Sequence, residues 1–289
     1  MLASILRNVR ERFRPLRRAR QSRLLSRYVL PILDRPVSAR LHGVDWRVRV
    51  RLIRHLTYIL DSRIVEPGET ALFAALCRRY RPKVLWDIGA NIGLYSWLLL
   101  SADRTARAVL FEPDPDNLAL LGRTIRDAGI ERATVVPCAV SDTAGEALFR
   151  RDTDSGHQGR IASDSASALD GSIVIRTVTL DGMLETEAPP DLVKIDVEGG
   201  EAAVFAGAGR LIGEYQPILL FESFASERAA ILGRMGAAGY VVIGAEDPDG
   251  PLDRASNFLA LPPRYAIDLD AVRESWRSEL TARGLGRKP

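Results

Sequence analysis

From residue 84 onward, short apolar runs alternate with longer amphipathic ones. Val84–Ile88, Ala108–Phe111, Thr134–Val140, Leu192–Val197, Ile218–Glu222, Tyr240–Ile243 and Phe258–Leu261 read as strands. The earlier of these are continuously apolar, the pattern of strands covered on both faces. Helical patterns lie between them. In the one after the second strand, Asp116 is placed to cap the start, Leu118, Leu121 and Ile125 form the apolar stripe, and Gly129 follows the end. Glu201–Ile212 and Ser226–Ala238 read as further amphipathic helices. Repeated strand–helix units predict a doubly wound α/β fold around a mostly parallel, seven-stranded sheet.

The flanks depart from this rhythm. Residues 1–35 read as a helix with Arg7, Arg10, Arg14, Arg17 and Arg18 on one face and Leu2, Ile5, Leu6, Val9 and Phe13 on another, interrupted at Pro15. Gly43–Leu52 alternates, with Val44, Trp46, Val48 and Val50 on one side of a strand. Thr70–Tyr80 reads as a helix with Leu72, Ala75, Leu76 and Arg79 inward, approached through Glu66-Pro67-Gly68-Glu69. Ala147–Arg150 and Ile173–Val178 look like two extra strands. The polar stretch Arg151–Ser172 between them reads as a loop above the ligand side of the sheet, or equally as an exposed insertion. Asp268–Pro289 predicts a final helix packed through Leu269, Val272, Trp276 and Leu280. The expected partition is an extension over 1–70, a main domain over 71–265 and a C-terminal helix with a basic tail over 266–289.

Composition changes this picture little. Hydrophobic residues at 46% and charged residues at 27% are those of an ordinary globular protein. The net charge of +3 conceals the basic first thirty residues. A basic amphipathic helix can lie on an anionic membrane surface or meet nucleic acid, but charge runs of this kind are more often simply solvated, and nucleic acid is not the favoured partner. Two cysteines, Cys77 and Cys138, form no disulfide framework and read as buried thiols. No apolar run is long enough to span a membrane and no signal peptide is evident, so a cytoplasmic location is expected.

The chemistry concentrates at predicted strand ends. Asp87-Ile88-Gly89-Ala90-Asn91-Ile92-Gly93 joins the first strand to an apolar helix. Gly89, Gly93 and Asn91 are residues that tolerate positive φ, so the turn lets a ligand approach the backbone closely. Its spacing is not G-x-G-x-x-G, which argues against the nicotinamide-dependent oxidoreductase that remains an alternative, as does a non-catalytic binding protein on the same fold. Glu112, before Pro113 and nineteen residues past Gly93, ends the second strand, where a carboxylate can accept both hydroxyls of a ribose. Val140 and Ser141 end the third strand and can flank an adenine ring. Lys194, Asp196 and Glu198 alternate toward the end of the fourth, and share a face if the strand runs that far. Glu222 ends the fifth.

Asp87-Ile-Gly89-Ala-Asn91-Ile-Gly93, Phe111-Glu112-Pro113, Ala139-Val-Ser141-Asp142, Thr179-Leu-Asp181, Lys194-Ile-Asp196-Val-Glu198-Gly199 and Leu220-Phe-Glu222 together resemble the ordered motifs of FkbM-type methyltransferases. Gly200 departs from the Ala that many relatives carry. The resemblance covers about residues 84–225 and leaves the first seventy outside it. It implies a class I methyltransferase fold, S-adenosylmethionine as methyl donor, and O-methylation of a sugar, glycan or natural-product hydroxyl. It also implies cofactor-binding roles for Asp87, Gly89, Ala90, Asn91, Gly93, Glu112, Pro113, Val140, Ser141 and Asp196. A hydroxyl acceptor needs its proton removed. Asp196, Glu198, Glu222 and His157, in the polar loop, are the candidate catalytic residues. A divalent cation such as Mg²⁺ could sit among the carboxylates, but no complete ligand set is readable and none is assigned. The acceptor and the oligomeric state are not encoded in any motif.

Overall fold

The computed structural model describes residues 30–151, 159–161, 172–265 and 267–286. The Arg-rich stretch 1–29, His157 and most of the polar loop lie outside the described residues.

After a helical turn at Leu30–Leu33, β1 (Pro36–Arg40) and β2 (Arg47–Arg51) form an antiparallel hairpin. Next come α1 (Leu56–Asp61), α2 (Pro67–Tyr80), β3 (Val84–Ile88), α3 (Leu94–Ala102), β4 (Arg107–Phe111), α4 (Pro115–Ala128) and β5 (Ala133–Val136). A side sheet follows, of β6 (Ala139–Val140), β7 (Gly145–Arg151), β8 (Gly159–Ile161) and β9 (Ser172–Val178). The chain then passes through α5 (Leu180–Met183), β10 (Leu192–Ile195), α6 (Glu201–Ala206), β11 (Ile218–Glu222), α7 (Ala225–Ala237), β12 (Val241–Gly244), β13 (Asn257–Leu261) and α8 (Leu269–Ala282).

The main sheet runs β12-β13-β11-β10-β3-β4-β5. Only β13 is antiparallel to its neighbours. This is the expected doubly wound, mostly parallel, seven-stranded sheet. Alternate side chains of its central strands enter two separate apolar layers. Leu85 and Leu192 belong to the layer under α2, α3, α4 and α8, while Trp86, Ile88, Val193 and Ile195 belong to the layer under α6 and α7. Asp87 and Lys194 are direct register partners on β3 and β10, so both polar groups fall on the α2/α3 side of the sheet.

Several expectations are corrected in detail. The apolar run Thr134–Val140 divides. Pro137 has no N–H for the ladder, Cys138 N turns back onto Val136 O at 2.9 Å, and Ala139–Val140 pairs with β9 in the side sheet. The cap of α4 is Asp114, whose carboxylate accepts from Asp116 N at 2.7 Å. Pro115 takes the first helical position, where a missing N–H costs nothing. Asp116 sits in the first turn and pairs with Arg51 at 3.3 Å. α2 begins at Pro67, and Arg79 faces solvent instead of the core. Helix Glu201–Ile212 stops at Ala206, because the Asp181 carboxylate caps the N–H groups of Arg210 and Leu211, at 2.9 Å each, and starts a new helical turn there. β10 ends at Ile195 and not Val197. Glu198 at φ 58 and Gly199 at φ 100 lie in a turn, so Lys194, Asp196 and Glu198 do not share a strand face.

The hairpin β1–β2 packs on α4. Val48 and Val50 are fully buried, Arg49 N donates to Thr124 Oγ1 at 2.9 Å, and the Arg49 guanidinium pairs with Asp127. Cys77 and Cys138 are buried free thiols. Among the described residues no helix is long and apolar enough to cross a membrane.

Candidate functional site

The chain leaves β3 toward β4 and β5 on one side and later returns to build β10 and β11 on the other. The crevice beyond the carboxyl ends of β3 and β10 is therefore the switch point at which open α/β sheets bind ligands. A cavity of about 570 Å³ opens there. Asp87, Gly89, Ala90, Asn91, Glu112, Pro113, Val140, Ser141, Asp196 and Glu198 all line it. Gly93 and Glu222 are not among its lining residues, and His157 lies outside the described residues.

The turn after β3 is a set of backbone constraints. Gly89 N and Ala90 N donate to Phe111 O at 2.9 and 3.0 Å, which ties the turn to β4. Gly89 has φ 75, and a Cβ on it would lie 1.9 Å from Asp196 O. Its lack of a side chain is what lets the turn after β3 lie against the backbone just past the end of β10. Asn91 has φ 52, and its N–H donates to Glu112 Oε2 at 2.7 Å. Glu112 Oε1 accepts from Asp114 N at 2.8 Å. The Glu112 carboxyl is thus held at the cavity wall by two backbone N–H groups. Burial pushes it up to about 7, against those bonds and one from the Asn117 side chain. Gly93 serves the fold: at φ 83 it starts α3, and a Cβ would strike the Trp97 indole at 2.5 Å. Asp87 accepts from Ser96 Oγ at 2.7 Å and Ser96 N at 3.2 Å, so it fixes the first turn of α3. Its burial pushes it up to about 6, opposed by Ser96 and Lys194.

Behind the turn lies an acid-rich centre around one buried amine. Lys194, 2% exposed, stands 3.4 Å from Asp196 Oδ2 and 5.2 Å from the Tyr95 ring centroid. Burial alone would pull the Lys194 amine down, but Asp196, Glu66 and Asp87 outweigh it and raise it, so the ammonium is kept. Tyr95 Oη donates to Glu66 Oε2 at 2.5 Å. Glu66 is raised by burial and by Asp196, with Lys194 and Tyr95 opposing. Glu198 is pushed up to about 8 by burial, Asp196 and Glu222, and Glu222 to about 7 by burial and Asp196. Among the described residues no group of three or more His, Cys, Asp or Glu side chains is arranged to hold a metal ion.

The opposite wall was missed from sequence. Arg54, Thr57, Tyr58 and Glu66 line the cavity, although all precede the motif-bearing part of the chain. A signal for Glu66 existed. It precedes Pro67, which disfavours its αR conformation, and it sits at φ 43, where a non-glycine residue is held only by its surroundings.

The Methyltransferase FkbM domain family matches residues 87–242, more than half of the chain. Among characterised relatives, the hexuronic acid methyltransferase AglP of Haloferax volcanii is 29% identical over 177 residues, 60% of this chain and 68% of the relative. A solved FkbM methyltransferase from Methylobacillus flagellatus KT superposes with a TM-score of 0.48 at 18% identity, over 72% of this chain. The chain spans about half (53%) of that structure's length. A precorrin-6Y C5,15-methyltransferase from Geobacter metallireducens GS-15 superposes with a TM-score of 0.41 at 13% identity, over 70% of this chain and 87% of that one.

Proposed function

Since the chain belongs to the FkbM methyltransferase family, we propose that it transfers a methyl group from S-adenosylmethionine to a hydroxyl of a sugar-bearing acceptor. One observation carries the reading. A single cavity joins Glu112, a fixed carboxylate with free lone pairs, to the Lys194–Asp196 pair across the glycine turn. The donor set fits the cofactor. Among the described residues Asn91 Oδ1 and Asn117 Oδ1 are buried acceptors without a partner, and both residues line the cavity beside Glu112. They suit the hydroxyl and amino donors of an adenosyl group. The surplus of carboxylates over amines in the wall suits a cationic sulfonium and ammonium.

In this reading Glu112 accepts the ribose hydroxyls, Asn91 and Ala90 shape the floor beneath them, and Val140 and Ser141 flank the adenine. S-adenosylmethionine supplies an electrophilic methyl group. Asp196 takes the acceptor's hydroxyl proton, and Lys194 holds the Asp196 carboxylate toward the cavity. Orientation of the reacting oxygen in line with the methyl is worth about 7–11 kcal/mol in well-aligned reactions. Proton removal by a positioned base contributes about 10²–10⁴-fold. Glu198, in the same wall, binds acceptor hydroxyls. Glu222, outside the wall, acts through Asp196. The name of the Haloferax relative, a hexuronic acid methyltransferase, supports a sugar as acceptor.

Calorimetry with S-adenosylhomocysteine tests the cofactor half: wild type binds in the micromolar range, and absence of binding rejects the proposal. Labelled-methyl transfer to glycan fractions tests the other half. Asp196→Asn is expected to retain S-adenosylhomocysteine binding while transfer falls by about 10²-fold or more.

A further inference from the structure

The cavity wall has a strongly uneven charge distribution. Asp196 and Glu198 from the β10 side and Glu66 from the start of α2 give one region carboxylates, with Lys194 already engaged by Asp196 and stacked near Tyr95. The second cation in the wall is Arg54. Among the described residues its guanidinium has no hydrogen-bond or ion-pair partner. It is half-buried, and its backbone is firmly held. The Asp34 carboxylate accepts from Ile53 N at 2.7 Å and Arg54 N at 3.0 Å, and the next residue, His55, is fully buried and accepts from Arg51 N. A planar five-donor cation, carried on a held backbone at a cavity wall and without a carboxylate partner among the described residues, is a site for an anion.

We propose, resting on the methyltransferase reading above, that Arg54 is the anion-binding end of the acceptor site and that the acceptor carries a carboxylate or phosphate group. Arg54 precedes the family-matched span 87–242, whereas every residue assigned to the cofactor lies within it, so the anion it takes belongs to the acceptor. Charge segregation then sets the orientation. An anionic group is drawn to Arg54 and repelled from Asp196, while Glu66 and Glu198, which burial favours in the protonated form, are left to hydrogen-bond hydroxyls, so the acceptor's hydroxyls turn toward that side. Thr57 and Tyr58, three and four residues on, extend the same wall with hydroxyls.

The test uses the full chain saturated with S-adenosylhomocysteine, titrated by calorimetry with methyl glucuronide, glucose 6-phosphate and the neutral methyl glucoside. At least one anionic probe is expected to bind about tenfold or more tighter than the neutral one. Which of the two it is distinguishes carboxylate from phosphate. Arg54→Gln removes that preference, Arg54→Lys keeps part of it, and both leave S-adenosylhomocysteine affinity within about threefold, which also reports that they fold. Equal binding of all three probes, failure of both anionic probes at millimolar concentration, or an unchanged preference in Arg54→Gln overturns the proposal. Weakened S-adenosylhomocysteine binding by a folded Arg54→Gln also overturns it, because the anion would then be the cofactor's own carboxylate. Failure of the wild type to bind S-adenosylhomocysteine instead overturns the methyltransferase reading beneath it.

Discussion

Glu112 shows how one residue is set by its neighbours. Two backbone N–H groups hold its carboxylate, yet burial leaves it poised at about 7. In the role proposed for Glu112 a ribose is bound by the ionised form, which is scarce at pH 6 and dominant at pH 8. S-adenosylhomocysteine affinity is therefore expected to rise with pH through this window, and Glu112→Gln to weaken it about tenfold or more and flatten the profile. Calorimetry at several pH values decides, and a flat wild-type profile rejects this role for Glu112. Gly89 and Gly129 separate two reasons for a glycine. Both have positive φ, but a Cβ meets Asp196 O at 1.9 Å at Gly89 and nothing within 4 Å at Gly129. Gly129→Ala is expected to cost about 1–2 kcal/mol from conformation alone. Gly89→Ala adds overpacking against backbone, for roughly 2–5 kcal/mol in all. Denaturant unfolding measures both.

At the scale of elements, α8 controls the site from a distance. Trp276 is fully buried in it, and its Nε1 donates to Gly68 O at 2.8 Å in the first turn of α2. Arg283, one residue past α8, donates to Thr70 Oγ1 and O at 2.9 and 3.0 Å. These contacts seat the start of α2, from which Glu66 enters the cavity. Trp276→Ala is expected to cost about 3–5 kcal/mol of stability, chiefly lost packing. Trp276→Phe keeps most of the apolar bulk and loses mainly the hydrogen bond, at about 1 kcal/mol. If Trp276→Ala unfolds at the wild-type denaturant midpoint, α8 is not a support for α2.

For the molecule as a whole, the acid-rich centre makes folding a proton-uptake process. Glu69, Asp87, Glu112, Glu198 and Glu222 are all pushed up, to about 8, 6, 7, 8 and 7, with burial the largest cause for each. The folded state therefore binds more protons than the unfolded chain between about pH 4.5 and 8, and stability falls as pH rises through that range. The ligand-free protein is expected to show a lower Tm at pH 8.5 than at pH 5.5. S-adenosylhomocysteine, whose ammonium offsets the carboxylates, is expected to raise Tm more at the higher pH. Scanning calorimetry with and without ligand checks both; a Tm that climbs with pH in the ligand-free protein contradicts the charge assignment.

The alternation of strands and helices, the turn Asp87–Gly93 and the candidate polar residues at the ends of β4 and β10 are legible in local sequence. Hydrophobic period and φ preference are local properties, and buried parallel strands display them openly in runs such as Val84–Ile88 and Ile218–Glu222. Which acids share a cavity is set by packing across the fold. Glu222 looked equivalent to Asp196 but lies outside the wall, while Glu66, from a segment read as a helix approach, lies within it. Proximity across the chain depends on which surfaces pack, as α8 packs on α2, and no spacing within one segment encodes that. The break after β5 at Pro137 and the end of β10 at the Glu198–Gly199 turn are local, but that Ala139–Val140 then joins the side sheet depended on β9, far along the chain. The candidate cofactor turn was thus written in adjacent residues. The wall that would choose the acceptor was assembled from residues more than a hundred positions apart.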